Sequence, residues 1–359
     1  MRLVEYTPDH FDLLHAAASR MASRNLRHRA FVNHYYASSP WCRLHLLVSR
    51  EDNVVGALGL ERMPFRFGSQ HVTIGFGTNY YSLEPGAGGF LFMHWLKNCD
   101  VGMSFGGSPD AHHVIRSQRW PYFDGIGVYL LNKPYEVYAG DPAWKRTAKR
   151  LARYGARRRI ASYSRNIPPQ VAKRISVREE SAFAADLLPR TSPFEFRFTP
   201  GVDYLAWRYN SRLPFVRYRL FRILDGGKTR GYVVLNESPE RILVSQCDGE
   251  DPEALAWGVV MSVLKAGETD ESPRTVKLTC SNPAMQQVYR SVGFKAESEH
   301  PFALGSLRRG VAPPADSPTS NWLVNYDWGD NGLLDLSDST DLPETAPVTP
   351  RSVSSESRI

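Results

Sequence analysis

Four small residues stand between a strand-like run and a helical run in the first third of the chain. Gly86, Ala87, Gly88 and Gly89 follow the last apolar residues of that strand and precede the helical run 90–97. Backbone N–H groups at a helix N-terminus bind anions, and glycine lets a phosphate approach the backbone closely. The pattern predicts an anion site here, and it is equally typical of a flexible surface turn.

Further along the chain, a short apolar strand is followed at once by a capped helix. Residues 275–280 are β-branched and apolar, as expected of a buried strand. Ser281 and Pro283 supply capping and first-turn residues, and Gly293 is typical of a helix C-terminus. We therefore expect a strand, a cap, a helix and a stop in direct succession.

Five residues of this helix and its ends resemble a motif of a known superfamily. Asn282, Ala284, Tyr289, Gly293 and Phe294 resemble the segment that closes the acyl-CoA site in GNAT N-acetyltransferases. The resemblance implies that the Tyr289 hydroxyl protonates the departing thiolate of coenzyme A and that the Asn282 side chain helps to hold the cofactor arm. The alternative is that Tyr289 packs on its helix face.

The elements that precede this segment follow the order of the same superfamily. Predicted strands cover residues 216–224, 231–236 and 242–247, and a helix covers residues 252–266. Residues 1–135 repeat the order in a weaker form. The expected fold class is α/β (α+β), with two tandem GNAT folds, each a central mixed sheet flanked by helices.

The sequence divides into five predicted parts. These are an N-terminal GNAT-like domain (1–135), a basic helical connector (136–176), a C-terminal GNAT-like domain (177–310), a closing segment (311–336) and a tail (337–359). Ser, Thr, Pro and acidic residues dominate the tail without an apolar period, so we expect it to be disordered.

The two halves differ in their cofactor loops. The superfamily's loop has a Gln or Arg followed by two spaced glycines, and Gly86 and Gly88 fit the glycine positions. Leu83 replaces the Gln or Arg, and Glu84 adds a negative charge. The corresponding residues 248–253 carry four carboxylates, which repel phosphate. The resemblance therefore implies that acetyl-CoA or another acyl-CoA binds the first half.

Carboxylates and histidines supply candidate general bases, because an amine must lose its proton before it attacks a thioester. Asp248 follows the third strand of the second half and is the main candidate. It could equally be a turn residue or a helix cap. In the first half the candidates are Glu61, His71 and the pair His112 and His113, which could equally be ordinary exposed or hydrogen-bonded side chains.

Composition limits the class of protein. The chain has 359 residues, of which 42% are hydrophobic, enough for two packed cores. No apolar run reaches the length of a membrane span and the N-terminus does not resemble a signal peptide, so we expect a cytoplasmic protein. Four widely spaced cysteines form neither a disulfide framework nor a zinc-ligand spacing, and we expect buried thiols and no metal.

Positive charge is concentrated in the connector. Residues 142–178 contain twelve Lys or Arg and no acid, so the rest of the chain carries −5, the difference between the total of +7 and +12. A solvated linker, nucleic acid, an anionic membrane surface and cofactor phosphates all remain possible partners. The basic residues that could face such a partner are Lys145, Arg146, Lys149, Arg150, Arg153, Arg157, Arg158 and Arg159.

Two aromatic segments resemble bacterial tandem GNAT-like proteins encoded with polysaccharide or cell-envelope genes. One is residues 204–209, which read Y-L-A-W-R-Y, and the other is residues 322–330, in which Asp327 replaces a glycine. Trp207 and Tyr209 are large enough to anchor a core, and Arg208 could pair there with a carboxylate.

These observations predict an N-acyltransferase that moves an acyl group from acyl-CoA to a primary amine of a small molecule, sugar or envelope precursor. Two alternatives remain. A FemAB-like aminoacyl transferase shares the tandem fold and would use aminoacyl-tRNA with the basic connector. A non-catalytic pair of folds would bind a ligand or partner instead.

Overall fold

The computed structural model describes residues 1–133 except 22 and 24, residues 142–145, 147, 148 and 151, and the ranges 158–307 and 318–328. Fourteen strands lie in the described part of the chain: β1 (Arg2–Glu5), β2 (Cys42–Val48), β3 (Val54–Phe67), β4 (Gln70–Ser82), β5 (Val101–Phe105), β6 (Gly127–Leu131), β7 (Ile175–Glu180), β8 (Phe196–Phe198), β9 (Arg217–Asp225), β10 (Lys228–Glu237), β11 (Arg241–Gly249), β12 (Thr275–Cys280), β13 (Lys295–Glu299) and β14 (Phe302–Gly305).

The described helices are α1 (Phe11–Ala18), α2 (Arg29–Val32), α3 (Ala87–Lys97), α4 (Pro109–Ser117), α5 (Pro169–Arg174), α6 (Val202–Arg208), α7 (Pro252–Ala266) and α8 (Pro283–Val292). Within these described residues, no helix has both the length and the apolar character needed to cross a membrane.

The strands form two seven-stranded sheets. The first has the order β1-β2-β3-β4-β5-β14, with β8 paired to the far end of β3, and the second has the order β13-β6-β12-β11-β10-β9-β7. In each sheet one central pair is parallel, β4 with β5 and β11 with β12, and the other pairs are antiparallel. The predicted fold class, two mixed sheets flanked by helices, is confirmed.

Both parallel pairs are short. β4 and β5 pair only from Ile74 to Phe76, although β4 continues to Ser82. β11 and β12 pair only from Arg241 to Leu243, although β11 continues to Gly249. Each sheet therefore opens into a groove toward the C-terminal ends of its parallel strands.

Each half of the chain contributes to the other half's sheet. β6, from the first half, lies between β12 and β13. β14 and β8, from the second half, pair with β5 and β3. The two sheets therefore do not coincide with residues 1–135 and 177–310.

A single apolar core lies between the sheets. It combines Phe65 and Phe76 of the first sheet, Tyr232 and Val234 of the second, and Trp322 of the closing segment, all of them buried. Helices cover the outer faces: α3 packs on the first sheet and α7 and α8 on the second. Because one core serves both sheets, the second sheet and the closing segment support the groove of the first.

Candidate functional site

The predicted anion loop lies at the N-terminus of α3, and it is open on its outer side. Gly86 is the residue before the helix and has φ +81, a left-handed conformation that favours glycine. A Cβ atom added to Gly86 or Gly89 would meet no atom within 4 Å. Ala87, by contrast, is buried and donates its N–H to the Glu84 carbonyl at 3.2 Å.

The free donors of this loop are the N–H groups of Gly88 and Gly89, which have no acceptor among the described residues. Tyr80 fixes the turn from below, because its hydroxyl donates to the Gly88 carbonyl at 2.7 Å. Burial raises the pKa of Tyr80 to about 12, so the hydroxyl keeps its proton and remains a donor. This helix N-terminus thus has two unbonded backbone donors, as anion binding requires.

Beneath the loop lies the groove between β4 and β5. Gly77 of β4 allows α3 to lie close, since a Cβ there would come within 2.9 Å of the Trp95 ring. The Trp95 indole N–H donates to the Gly75 carbonyl at 2.8 Å and fixes the helix over the strands. Across the described ranges, no other strand pairs with β4 on the β5 side beyond Phe76.

The corresponding helix N-terminus of the second half is already capped. Asp251 accepts the Ala254 N–H of α7 at 2.7 Å, and Glu250 forms an ion pair with Arg230 at 2.8 Å. An anion at this helix would meet carboxylates instead of free N–H groups. The loop at residues 248–253 is therefore a poor phosphate site.

The groove of the second half is filled by the chain itself. Asn325 accepts the Cys247 N–H through Oδ1 at 2.9 Å and donates Nδ2 to the Cys247 carbonyl at 3.1 Å. The Asp327 N–H donates to the Ser245 carbonyl at 3.2 Å. The closing segment thus forms hydrogen bonds with backbone groups of β11. An extended ligand with amide groups would bind at this same strand edge.

The opposite wall of this groove binds the same segment. The Thr279 hydroxyl donates to the Val324 carbonyl at 3.0 Å, and the Ser281 hydroxyl donates to the Trp322 carbonyl at 3.2 Å. Trp322 is buried in the core between the sheets. Residues 322–327 therefore join the two diverging strands as an irregular extra strand would.

Asn282 contacts this segment and caps α8. Its Oδ1 accepts the N–H groups of Ala284 and Met285 at 3.1 and 3.2 Å, and its Nδ2 donates to the Ser320 carbonyl at 2.9 Å. Both ends of the amide are occupied, so the predicted contact with a cofactor arm would need the closing segment to leave. The role of Asn282 in cofactor binding stays a prediction.

Tyr289 is buried in the core of the second sheet. Its ring lies 5.6 Å from that of Phe294 and 6.4 Å from that of Tyr129, measured between centroids. Burial raises the pKa of Tyr289, and the thiols of Cys247 and Cys280 raise it further. The Tyr289 side chain thus lies near Cys247 of β11, to which Asn325 is hydrogen-bonded. The role of Tyr289 as a general acid stays a prediction, and its hydroxyl does not lie in an open groove.

Asp248 lies between the sheets and is also buried. One carboxylate oxygen lies 3.2 Å from a guanidinium nitrogen of Arg197, and the other accepts the Gly249 N–H at 2.9 Å. Burial nevertheless raises the pKa of Asp248 to about 7, and this effect outweighs the opposing one of Arg197. A base needs access to its substrate, and the carboxylate instead links β11 to β8. Catalysis by Asp248 stays a prediction.

The candidate bases of the first half are scattered. Glu61 is buried and accepts the Tyr35 hydroxyl at 2.7 Å, whereas His71 and His113 are exposed. His112 shares a hydrogen bond of 2.8 Å between Nδ1 and the Tyr122 hydroxyl. Burial and then Arg116 lower the pKa of His112, so its imidazole is neutral at neutral pH. The residue as a whole is half-buried, but its Nε2 atom is buried and has no hydrogen-bond partner among the described residues.

The residues around Arg208 form a buried ionic cluster between the halves. Arg208 lies 3.7 Å from Glu61 and 3.5 Å from Asp327, and the Tyr204 hydroxyl also donates to Glu61. The expected pairing of Arg208 with a carboxylate is confirmed. Asn325 could not be found from the sequence, because a single amide in an aromatic segment has no characteristic spacing.

The basic connector lies mostly outside the described residues. Of the eight basic residues proposed to face a partner, Lys145, Arg158 and Arg159 are described, and all three are exposed. The others lie outside that part of the chain. The four cysteines are free thiols, three of them buried and Cys99 half-buried.

Comparison with known proteins gives a likeness in fold. No protein-family model and no curated protein matches the chain. Solved structures do match. A probable N-acyltransferase from Enterococcus faecalis is 8% identical with a TM-score of 0.50, covering 84% of this chain and 71% of that one.

Two further structures are similar over a comparable length. A tandem GNAT protein from the clavulanic acid biosynthesis pathway is 12% identical, with a TM-score of 0.45 and coverage of 84% and 97%. The N-myristoyltransferase of Saccharomyces cerevisiae with bound myristoyl-CoA is 10% identical, with a TM-score of 0.49 and coverage of 84% and 82%. Identities this low speak for fold alone. The chain has two mixed sheets flanked by helices, and each sheet includes strands from both halves of the chain.

Proposed function

We propose that this protein is an acyl-CoA-dependent N-acyltransferase whose donor site lies in the first half. The N–H groups of Gly88 and Gly89 would bind the pyrophosphate of acetyl-CoA or another acyl-CoA. The pantetheine arm would follow the groove between β4 and β5. The observation that carries the proposal is the contrast between the halves: the first has an open helix N-terminus above its groove, and the second has a capped helix and a filled groove.

The proposed reaction joins the acyl group to a primary amine of a small molecule, sugar or envelope precursor. A C–N bond forms, the thioester C–S bond breaks, and the amine proton passes to a base while the thiolate is protonated. His112 lies in the helix that follows β5, and its lowered pKa leaves the imidazole neutral at neutral pH. Tyr289, Asn282 and Asp248 are not part of this proposed donor site.

Calorimetric titration with acetyl-CoA tests the donor site. In Gly89→Val the new Cβ meets no atom within 4 Å, so the fold should persist while the branched side chain keeps phosphate from the backbone. We expect binding to weaken by at least tenfold, about 1.4 kcal/mol. Gly88→Val is a less suitable variant, because its Cβ would lie 3.2 Å from the Tyr80 hydroxyl.

Gly201→Val is the matched control. Gly201 also precedes a helix, α6, and a Cβ there also meets no atom within 4 Å. This variant should bind acetyl-CoA as the parent does. Equal binding by Gly89→Val and the parent would place the donor elsewhere, and no binding by a folded parent would exclude the acyl-CoA function.

A non-catalytic binding protein is the second candidate. The filled second groove and the exposed Glu84 beside the first loop favour it, since both reduce affinity for an anionic cofactor. It predicts that the folded parent gives no heat with acetyl-CoA and releases no thiol with any primary amine.

A further inference from the structure

A cavity lies at the end of α3 that is opposite to the glycine loop. Its volume is about 550 Å³, within the range of small-molecule sites, and its lining includes Trp41, Arg62, Thr73, Lys97 and Asp100. α3 has eleven residues, so roughly 16 Å of helix separates the two ends. The cavity is therefore distinct from the proposed donor loop and does not depend on it.

Two cations face this cavity. Arg62 and Lys97 are exposed, and neither forms an ion pair within the part of the chain that the structure describes. The carboxylate of Asp100 is engaged, because Oδ2 accepts the Thr73 N–H at 2.9 Å. Lys97 also suits the negative end of the α3 dipole, but Arg62 lies on β3 and serves no helix end. The cavity thus has surplus positive charge.

A pair of histidines lies beside these cations. The rings of His45 and His94 are 4.3 Å apart, in an edge-to-face arrangement. Burial, and then the charges of His94, Arg62 and Arg43, together lower the pKa of His45 to about 4. Arg43 forms an ion pair with Glu5 at 3.1 Å, and among the described residues no other acid forms an ion pair with Arg43, Arg62 or Lys97.

The second ring responds to the same positive field. Burial lowers the pKa of His94, and the positive charge of Lys97 lowers it further. Both rings are therefore neutral at neutral pH, in a field that disfavours their protonation. Added negative charge in the cavity would reverse this effect and raise both pKa values.

An aromatic ring lies next to Arg62 in this cavity. The Arg62 N–H donates to the Trp41 carbonyl at 2.8 Å, so the two residues are neighbours. The Trp41 ring packs 5.2 Å from that of Trp207 and 5.6 Å from that of Tyr204, which fixes its orientation. A ligand could place a charged group on the cations and an uncharged part against this ring.

We propose that this cavity is a binding site for a small anionic metabolite, with Arg62 and Lys97 as the residues that bind its phosphate or carboxylate group. Trp41 supplies the apolar wall. A guanidinium and an ammonium on separate elements suit an anion with several oxygen acceptors.

Titration of the full chain with inorganic phosphate, and separately with citrate, tests this proposal. Histidine ring signals in NMR spectra report the outcome directly. We expect saturable shifts of His45 and His94 at millimolar anion, with the pKa of both rings raised. The tighter of the two probes identifies phosphate or carboxylate as the preferred group.

The double variant Arg62→Ala with Lys97→Ala should abolish saturation. Both side chains are exposed, so the variant should fold. Arg212→Ala, at an exposed position in another part of the chain, is the control and should bind as the parent does. Shifts that persist in the double variant, or that appear equally at the exposed His71 and His113, would overturn the proposal. So would the absence of saturable shifts in the parent.

Discussion

Tyr289 illustrates how a residue can match a catalytic motif while its surroundings favour packing. Its ring is held between those of Tyr129 and Phe294, and Asn325 bonds to the strand beside it. The sequence predicted the helix and its cap from local signals that depend on neighbouring residues alone. It could not predict the filled groove, because Asn325 is 36 residues away along the chain from Tyr289.

Tyr289→Phe separates these two roles. The change keeps the ring, so the packing role predicts less than a twofold change in thiol release from acetyl-CoA with amines. A general acid would instead contribute about 10²- to 10⁴-fold. Steady-state measurement of thiol release decides between them, with urea unfolding as the control for stability. A loss of 10² or more in a stable variant would return catalysis to Tyr289.

Asp248 makes the stability of the protein depend on pH. Its pKa is about 7 in the folded state and near the ordinary value of 3.8 when unfolded. At pH values between these two pKa values, the folded state holds more protons than the unfolded state, so the free energy of unfolding falls as pH rises. Relative to Asp248→Asn, the parent should lose on the order of 3 kcal/mol from pH 4 to 7.

Urea unfolding of the parent and Asp248→Asn across this pH range checks the sign. The asparagine variant removes the titrating group at every pH, so the difference between the two curves isolates it. A parent that becomes more stable than the variant as pH rises would show that attraction to Arg197 exceeds the cost of burial.

At the scale of elements, the described part of the closing segment, residues 318–328, is as important as any helix or strand. It crosses the groove of the second sheet, bonding to β11 through Asn325 and Asp327 and to β12 through Thr279 and Ser281. Its only regular structure is one short 3₁₀ turn, Thr319–Asn321. Removing its contacts should therefore destabilise both walls of the groove.

Asn325→Ala measures this contribution. The change leaves the buried N–H and carbonyl of Cys247 without their partner, which costs about 1 to 3 kcal/mol each at most. We expect a loss of about 2 kcal/mol in the free energy of unfolding, measured with urea. Asn321→Ala, at an exposed position in the same segment, should change it by less than about 0.5 kcal/mol. Equal effects would mean that Asn325 does not hold the segment.

Local signals predicted many elements well. β12 and α7 begin and end at the predicted residues, because an apolar run and capping residues define them. β13 was not predicted, since its five residues are all exposed and it has no apolar alternation. Pairing with β6 creates this strand, and that partner comes from the other half of the chain.

At the scale of the whole molecule, strand exchange joins the two halves. β6 completes the second sheet and β14 completes the first, while the Arg208 cluster connects β3, α6 and the closing segment. The sequence predicted two tandem folds, and repeated element order was sufficient for that. It could not predict the exchange, because pairing between distant strands depends on which edges meet in the folded chain.

The two halves differ at their helix N-termini and grooves, which suggests different roles for them. In the second half the helix N-terminus is capped and the closing segment fills the groove, and this half shares an apolar core with the first. In the first half the helix N-terminus has two N–H groups without an acceptor among the described residues, and β4 continues past its short pairing with β5. The proposed donor site in the first half therefore predicts one donor site for each chain.

Amide NMR spectra recorded during titration with acetyl-CoA test this central claim most directly, because they distinguish the two halves in one experiment. The account predicts saturation at one equivalent, with the largest shifts at the amides of Gly88 and Gly89 and little change at those of Cys247 and Ala254. Shifts concentrated at Cys247 and Ala254, with Gly88 and Gly89 unmoved, would contradict it.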